Sequence, residues 1–231
     1  MSASWALVIL IFISSIPVIA VYIWFRLAKY QFSLTRFLFV LLTGAAAFFP
    51  ALILQEFLSF SFSANGRWAL FFRFFVRVAF TEELSRLLML FIFFWISRRI
   101  KPDEDSGQPL SYNTIKKGTA TGLVAGLGFA ILESAVYGAS DASILLLRAI
   151  TAAPLHGACG SRIGAAAVMF RSNPIQALFR VFAATAIHGV YNFMIAIPGF
   201  PSIAAVLIAF SALITVIITI RGGWASGENS N

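Results

Sequence analysis

The sequence predicts an all-α polytopic membrane protein of about seven transmembrane helices, and three observations carry that reading. Hydrophobic residues make up 60% of the 231 and charged residues only 11%. Apolar runs of membrane-crossing length, about 20 residues each, recur along the chain. Lysine and arginine gather in the breaks between those runs, where they set topology and meet anionic lipid. The net charge of +8 is therefore no signal for nucleic acid.

The first run, about 5–25, has no basic residue before it, and Arg26 and Lys29 follow it. That is the reverse of a signal peptide and predicts a retained helix with its N-terminus outside. The second, about 37–57, follows Arg36 and ends at Glu56, where a solvated carboxylate is the ordinary expectation. The third, about 68–96, opens on Arg67, Arg73 and Arg77, read as side chains snorkelling to the interface, and then carries Glu82, Glu83 and Arg86. Residues 97–117 form the long hydrophilic stretch, broken by Pro102, Gly107 and Pro109. They are expected to be a solvated cytoplasmic loop.

The fourth run, about 118–137, sets Gly118, Gly122 and Gly126 four apart, a small-residue ridge along which membrane helices approach closely. Phe129 and Glu133 follow, and Asp141 falls in a short outer turn. The fifth, about 143–170, holds Arg148, Pro154, His156 and Arg162. His156, Gly160 and Gly164 again lie four apart, with Pro154 expected to kink the helix. The sixth, about 175–197, carries His188 and Asn192 one turn apart and ends before Pro198 and Gly199. The seventh, about 201–220, is uniformly apolar up to Arg221, and 222–231 reads as a flexible tail.

The basic residues fall on the predicted inner side, which gives an N-out, C-in topology. Trp5, Trp24, Trp68, Trp95 and Trp224 all sit at run ends, as an aromatic belt requires. The whole of 1–231 reads as one transmembrane domain. Cys159 is the single cysteine, so no internal disulfide forms, and it reads as a small apolar filler.

Within the runs, the remaining acids and imidazoles are Glu82, Glu83, Glu133, His156 and His188. An ionised group in hydrocarbon costs several kcal/mol unless paired or wetted. Each of these five lies about 14 or 15 residues from its run's inner end, or roughly 21–23 Å at helical rise, although neighbouring runs alternate in direction. Three carboxylates and two imidazoles at one depth call for a shared reason. Each alone has an ordinary structural one: Glu133 pairing with Arg148 or Arg162, a histidine bridging helices, Asn192 as packing glue. Helical spacing pairs Arg86 with Glu82 on one face, with Glu83 displaced by about 100°.

Two chemistries suit the set. A carboxylate can take a proton from water while an imidazole relays it, with Asn192 and a histidine bonding the oxyanion of an attacked amide. Alternatively, ligands drawn from Glu82, Glu83, Glu133, His156 and His188 hold Zn²⁺. No HExxH occurs, and the cofactor is left open between Zn²⁺ and none.

The ordered motifs Glu82-Glu83-x-x-Arg86, Gly128-Phe129-x-x-x-Glu133, Arg148 with His156, and His188-Gly189-x-Tyr191-Asn192-Phe193 resemble those of PrsW-type intramembrane proteases. That family is related to the CAAX prenyl endoproteases and to bacteriocin-processing membrane proteases. Two residues between the acid pair and the arginine, and Glu at 133, put the likeness on the PrsW side.

The resemblance implies hydrolysis of a peptide bond in or near the transmembrane segment of a single-span membrane protein, an anti-sigma-factor-like substrate, in a prokaryotic plasma membrane. It implies Glu82 as the water-activating base, assisted by Glu83 or Glu133, His156, His188 and Asn192, in a site among helices three to six. Arg86, Arg148 and Phe129 would support it. The rival readings are a proton-coupled transporter or channel with a midplane relay, and an inactive scaffold that binds membrane helices.

Overall fold

The computed structural model describes residues 3–30, 32–59, 66–100, 112–138, 142–196 and 202–225. These are helical almost throughout, with no strand among them. In chain order the elements are α1 (Ala3–Leu27), α2 (Leu34–Ala46), α3 (Phe48–Ser59) and α4 (Arg67–Phe71). Then come a π-helical segment (Phe72–Phe80), α5 (Thr81–Ile100), α6 (Tyr112–Gly138), α7 (Ala142–Met169), α8 (Pro174–Ala196) and α9 (Ser202–Ala225). Because α2 with α3, and α4 with the π segment and α5, run on end to end, the elements make seven helical rods. Most of the expected loop (101–111), Asp141, Pro198, Gly199 and the tail from 226 lie outside the described residues, as do the side chains of Trp5, Arg67 and Trp224.

Local chemistry explains the breaks. Ser33 caps α2 by accepting from the Arg36 N–H at 3.2 Å, and Asn173 does the same for α8 through the Gln176 N–H at 3.1 Å. The interruption at Ala47 follows from Pro50 in the first turn of α3. Proline has no N–H for the carbonyl four residues back, so the α2 ladder stops there. The π segment has no such sequence mark: Phe72–Phe80 reads as ordinary amphipathic helix. At its junction with α5 the Thr81 hydroxyl donates to the Arg77 and Val78 carbonyls, at 2.6 and 3.0 Å, which meets acceptors left by the change of pitch.

Four rods among the described residues are long and apolar enough to cross a membrane: Leu34–Ser59, Asn113–Val136, Pro174–Ala196 and Ile203–Arg221, with Phe12–Leu27 a shorter apolar helix. The α5 rod falls short because Glu82, Glu83 and Arg86 crowd its start. Of the four, Asn113–Val136 is 78% buried where the others are 28–33%, so α6 is the central helix. It packs most extensively on α7, through the two glycine ridges read from sequence. A Cβ at Gly126 would land on the His156 carbonyl, so hydrogen at that position is what lets the two backbones touch.

Polarity is inverted relative to a soluble protein. On α5, Glu82, Glu83, Ser85 and Arg86 are buried while Leu84 and Leu88 face outward, as the surroundings of a bilayer demand. Trp68 and Trp95, two of the predicted belt residues, are exposed. Cys159 is buried with its thiol donating to the Ala184 carbonyl at 3.5 Å, in keeping with a filler.

If the α6–α7 seam is held by absent side chains, Gly126→Leu should lower the thermal midpoint in detergent by several degrees. Overpacking of this kind costs about 1–3 kcal/mol. Phe179→Leu, at an exposed side chain, should shift the midpoint far less. Equal midpoints for Gly126→Leu and the parent would contradict the close-approach account.

Candidate active site

The π segment delivers the chain into α5 with Thr81, Glu82 and Glu83 turned inward, and the first turn of α5 becomes the floor of a buried polar cluster. On α8 the buried stripe Ala177, Val181, Ala184, His188, Tyr191 follows alternating three- and four-residue spacing, which carries His188 to the same place. Gly189 beside it leaves room for the Phe75 ring of the π segment. Glu133 enters from α6, and His156 and Arg148 from α7. Glu82, Glu83, Glu133, His156, His188 and Arg86 are all buried.

Arg86 is the hub. Its NH1 donates to both oxygens of Glu83, at 2.9 and 2.7 Å, and its NH2 lies 3.2 Å from His156 Nδ1. The guanidinium carbon sits 4.6 Å from the Phe129 ring centroid, a cation–π contact that gives an apolar wall to a fully buried charge. The expected Arg86–Glu82 pair is present but long, with Glu82 Oε2 3.8 Å from NH2, and Glu83 is the closer partner at 2.7 Å. The three-residue step brings both Glu83 oxygens onto the one nitrogen NH1, a closer charge-assisted contact than spacing four gives Glu82.

Glu83 also fixes His188. Nδ1 lies 2.8 Å from Glu83 Oε1, so Nδ1 carries the hydrogen and Nε2 is turned toward Glu82 Oε2, 3.6 Å away. Glu133 Oε2 lies 2.6 Å from Arg148 NH2 and 2.5 Å from His156 Nε2. Of its two possible arginine partners Arg148 is the actual one, since Arg162 turns away to the Ala158 carbonyl and Thr215. The two imidazoles meet edge to face with centroids 4.9 Å apart.

Charge counting isolates one group. Three carboxylates share two guanidinium groups, which leaves one negative charge in excess, and Glu82 holds the longest of the arginine contacts, 3.8 Å against 2.7 Å for Glu83 and 2.6 Å for Glu133. Glu82 Oε1 accepts from the Gln55 amide at 3.1 Å, while Oε2 is buried and makes no hydrogen bond. Gln55 is in turn held by Arg77, whose Nε donates to its carbonyl at 2.9 Å. Arg77 is thus a structural tie as well as an interfacial cation, whereas Arg73 is exposed and rests on Phe74. Asn192, half-buried one turn beyond His188, makes no hydrogen bond among the described residues.

Sequence reasoning does not single out Gln55. Its one signal is a lone amide in an apolar run, next to the Glu56 carboxylate that is exposed as expected. Thr151 and Tyr191 are likewise silent in the sequence: the Tyr191 hydroxyl donates to Thr151 at 2.8 Å and ties α8 to α7 behind the cluster.

The donor set suits a divalent cation. One atom each from Glu82, His156 and His188 lie within 4.8 Å of one another. The orphaned Glu82 Oε2 and the excess negative charge provide what such an ion needs. His188 already has the carboxylate behind its far nitrogen that metal-binding imidazoles use. His156 fits through a different arrangement, because Arg86 would have to withdraw from its Nδ1.

A protein-family model, PrsW family intramembrane metalloprotease, matches residues 33–220, which contain every member of this cluster. The chain belongs to that family. It is therefore an integral membrane protein and a membrane protease, and the rival transporter relay gives way to PrsW-type hydrolysis. Comparison with curated proteins and with solved structures gave no match.

Removing one partner of a buried ion pair strands the other, at a cost of about 3–5 kcal/mol. Arg86→Ala should therefore abolish the monodisperse folded protein in size-exclusion chromatography, while Glu82→Gln, which removes the charge in excess, should keep it. The reverse order of tolerance would overturn the charge assignment.

Proposed function

We propose that the chain is an intramembrane endopeptidase that cuts a peptide bond in or near the transmembrane segment of a single-span membrane protein. The observation that carries this reading is Glu82 in a buried cluster with one negative charge in excess, its Oε2 accepting no hydrogen bond and facing the His188 Nε2 at 3.6 Å. Peptide hydrolysis needs a group that takes a proton from water beside the scissile carbonyl, and that arrangement supports it.

In this reading Gln55 holds Glu82 Oε1, which leaves Oε2 to accept the proton. Glu83 keeps hydrogen on His188 Nδ1, so Nε2 exchanges protons with the Glu82 side and passes one to the leaving amine. Asn192, uncommitted one turn away, donates to the oxyanion as the carbonyl becomes tetrahedral. Arg148 and Glu133 orient His156, and Phe129 backs Arg86 against the lipid-facing layer. A divalent cation of the Zn²⁺ type would be held by Glu82, His156 and His188, and when bound would polarise the carbonyl and acidify water. The seven rods and the positive-inside pattern support seven crossings, N-out and C-in, and a prokaryotic plasma membrane rests on the family resemblance. An anti-sigma-factor-like substrate follows from the family resemblance alone.

Glu82→Gln and His188→Ala should each lower cleavage of a co-expressed single-span reporter by about 10²-fold or more, the usual worth of positioned acid–base groups, with undiminished folded protein. Full activity in both would sink the assignment. For the metal, about one equivalent of zinc should accompany the purified protein by elemental analysis, and a membrane-permeable chelator should inhibit. Metal-free protein of full activity would instead leave water activation to Glu82 alone.

A further inference from the structure

A second polar site lies far from the catalytic cluster, where the α1–α2 turn meets the first turns of α6. Lys116 and Glu133 are 17 positions apart on the same helix, which separates the two regions by roughly 25 Å at helical rise. Here a cavity of about 350 Å³ is lined by Lys29, Arg36, Lys116 and Lys117, with Tyr30 and Phe32 among its walls and no carboxylate among the described residues that line it. Lys29, Arg36 and Lys117 bring like charge to one small space, which raises its attraction for an anion.

The surroundings hold those charges in place. The Arg36 guanidinium rests over the Phe32 ring at 5.3 Å, and the Lys116 ammonium stands 6.0 Å from the Tyr30 ring centroid. The rings themselves belong to a packed aromatic group: Phe25 and Tyr30 have centroids 5.0 Å apart, Phe25 and Phe32 5.7 Å. Lys116 is buried despite its charge. Lys29, at φ 52, is the left-handed residue that closes α1, with the Tyr30 N–H on the Phe25 carbonyl at 2.9 Å and its own N–H on the Arg26 carbonyl at 3.2 Å. Burial pushes the Tyr30 phenol up to about 12, so it stays neutral and adds no negative charge of its own.

We propose that this cavity binds a phosphate group, carried by an anionic phospholipid headgroup or present as free phosphate. A cluster of lysines and one arginine with aromatic walls, open at the end of a membrane bundle, matches a compact, multiply charged oxyanion. Its volume is at the small-ligand end of binding cavities. The site makes no use of the proteolytic residues and stands independently of how they act.

The test uses the full chain in nanodiscs of equal phosphatidylglycerol and phosphatidylcholine, with bound lipid counted by native mass spectrometry. Inorganic phosphate binding is measured in parallel by titration calorimetry in detergent. The parent should retain phosphatidylglycerol over phosphatidylcholine. Arg36→Gln and Lys117→Gln, both at exposed side chains, should each weaken retention about fivefold, the equivalent of about 1 kcal/mol per basic residue near the surface. Arg36→Lys and Lys117→Arg should restore most of it, which separates charge from folding. Phosphate binding that shows the same variant pattern without lipid preference would support the site and assign it to the free ion. Equal retention of both lipids with no phosphate binding, or a folded Arg36→Gln/Lys117→Gln protein that binds as the parent does, would overturn the proposal.

Discussion

The buried Arg86–Glu83 pair is the contact on which the interior depends. It sits in the first turn of α5, yet it reaches α8 through His188, α7 through His156 and α6 through the Phe129 face. Glu82, next in the chain, adds α3 through Gln55. A buried ion pair rarely contributes net stability, since desolvation offsets most of the attraction. What it contributes here is position. Each group that touches the pair has one orientation that satisfies it, and those orientations put two imidazoles and a spare carboxylate within reach of each other.

Such a cluster is tolerable only if hydrocarbon is kept off it, and the packing of α6 and α7 does that. Glycine and alanine at their contact let the helices close without large side chains, so the groups they carry meet directly. The aromatic residues of the π segment then cover the α8 side, where Phe74 and Phe75 pack against Phe193. The layer facing lipid is leucine, isoleucine and phenylalanine. Small residues in the seam, charge at the centre and bulk outside are one solution to a single constraint: an ionised group may live in a membrane only where protein replaces lipid around it.

Much of this is legible in the sequence. Acids and imidazoles are so rare in apolar runs that five at one depth locate the cluster, and Glu82, Glu83, Glu133, His156 and His188 do meet. The glycine ridges announce the α6–α7 contact for the same reason: spacing of four has few other causes in a membrane helix. Contact identity is harder. Spacing brings Glu82 to Arg86, as the 3.8 Å contact shows, but does not register that Glu83, three residues away, makes the shorter bonds. Gln55 stays hidden because one amide among apolar residues has many ordinary explanations. The break at Ala47 is readable in principle from Pro50. The π segment is not, since its side-chain pattern is that of an α-helix and the difference lies in which carbonyl each N–H chooses.

That segment has a consequence for how the chain can vary in length. A wide-turned stretch holds one residue more per turn than its α-helical counterpart would. Loss of a single residue from Phe72–Phe80 can be absorbed by tightening a turn, where the same loss inside α5 would swing everything beyond it by about 100°. The carboxylates of α5 would keep their heading, while Phe75 and Arg77 would turn away from Gly189 and Gln55. The aromatic cover and the reactive floor are therefore indexed separately, and the approach to the site can drift in register while its chemistry stays aligned.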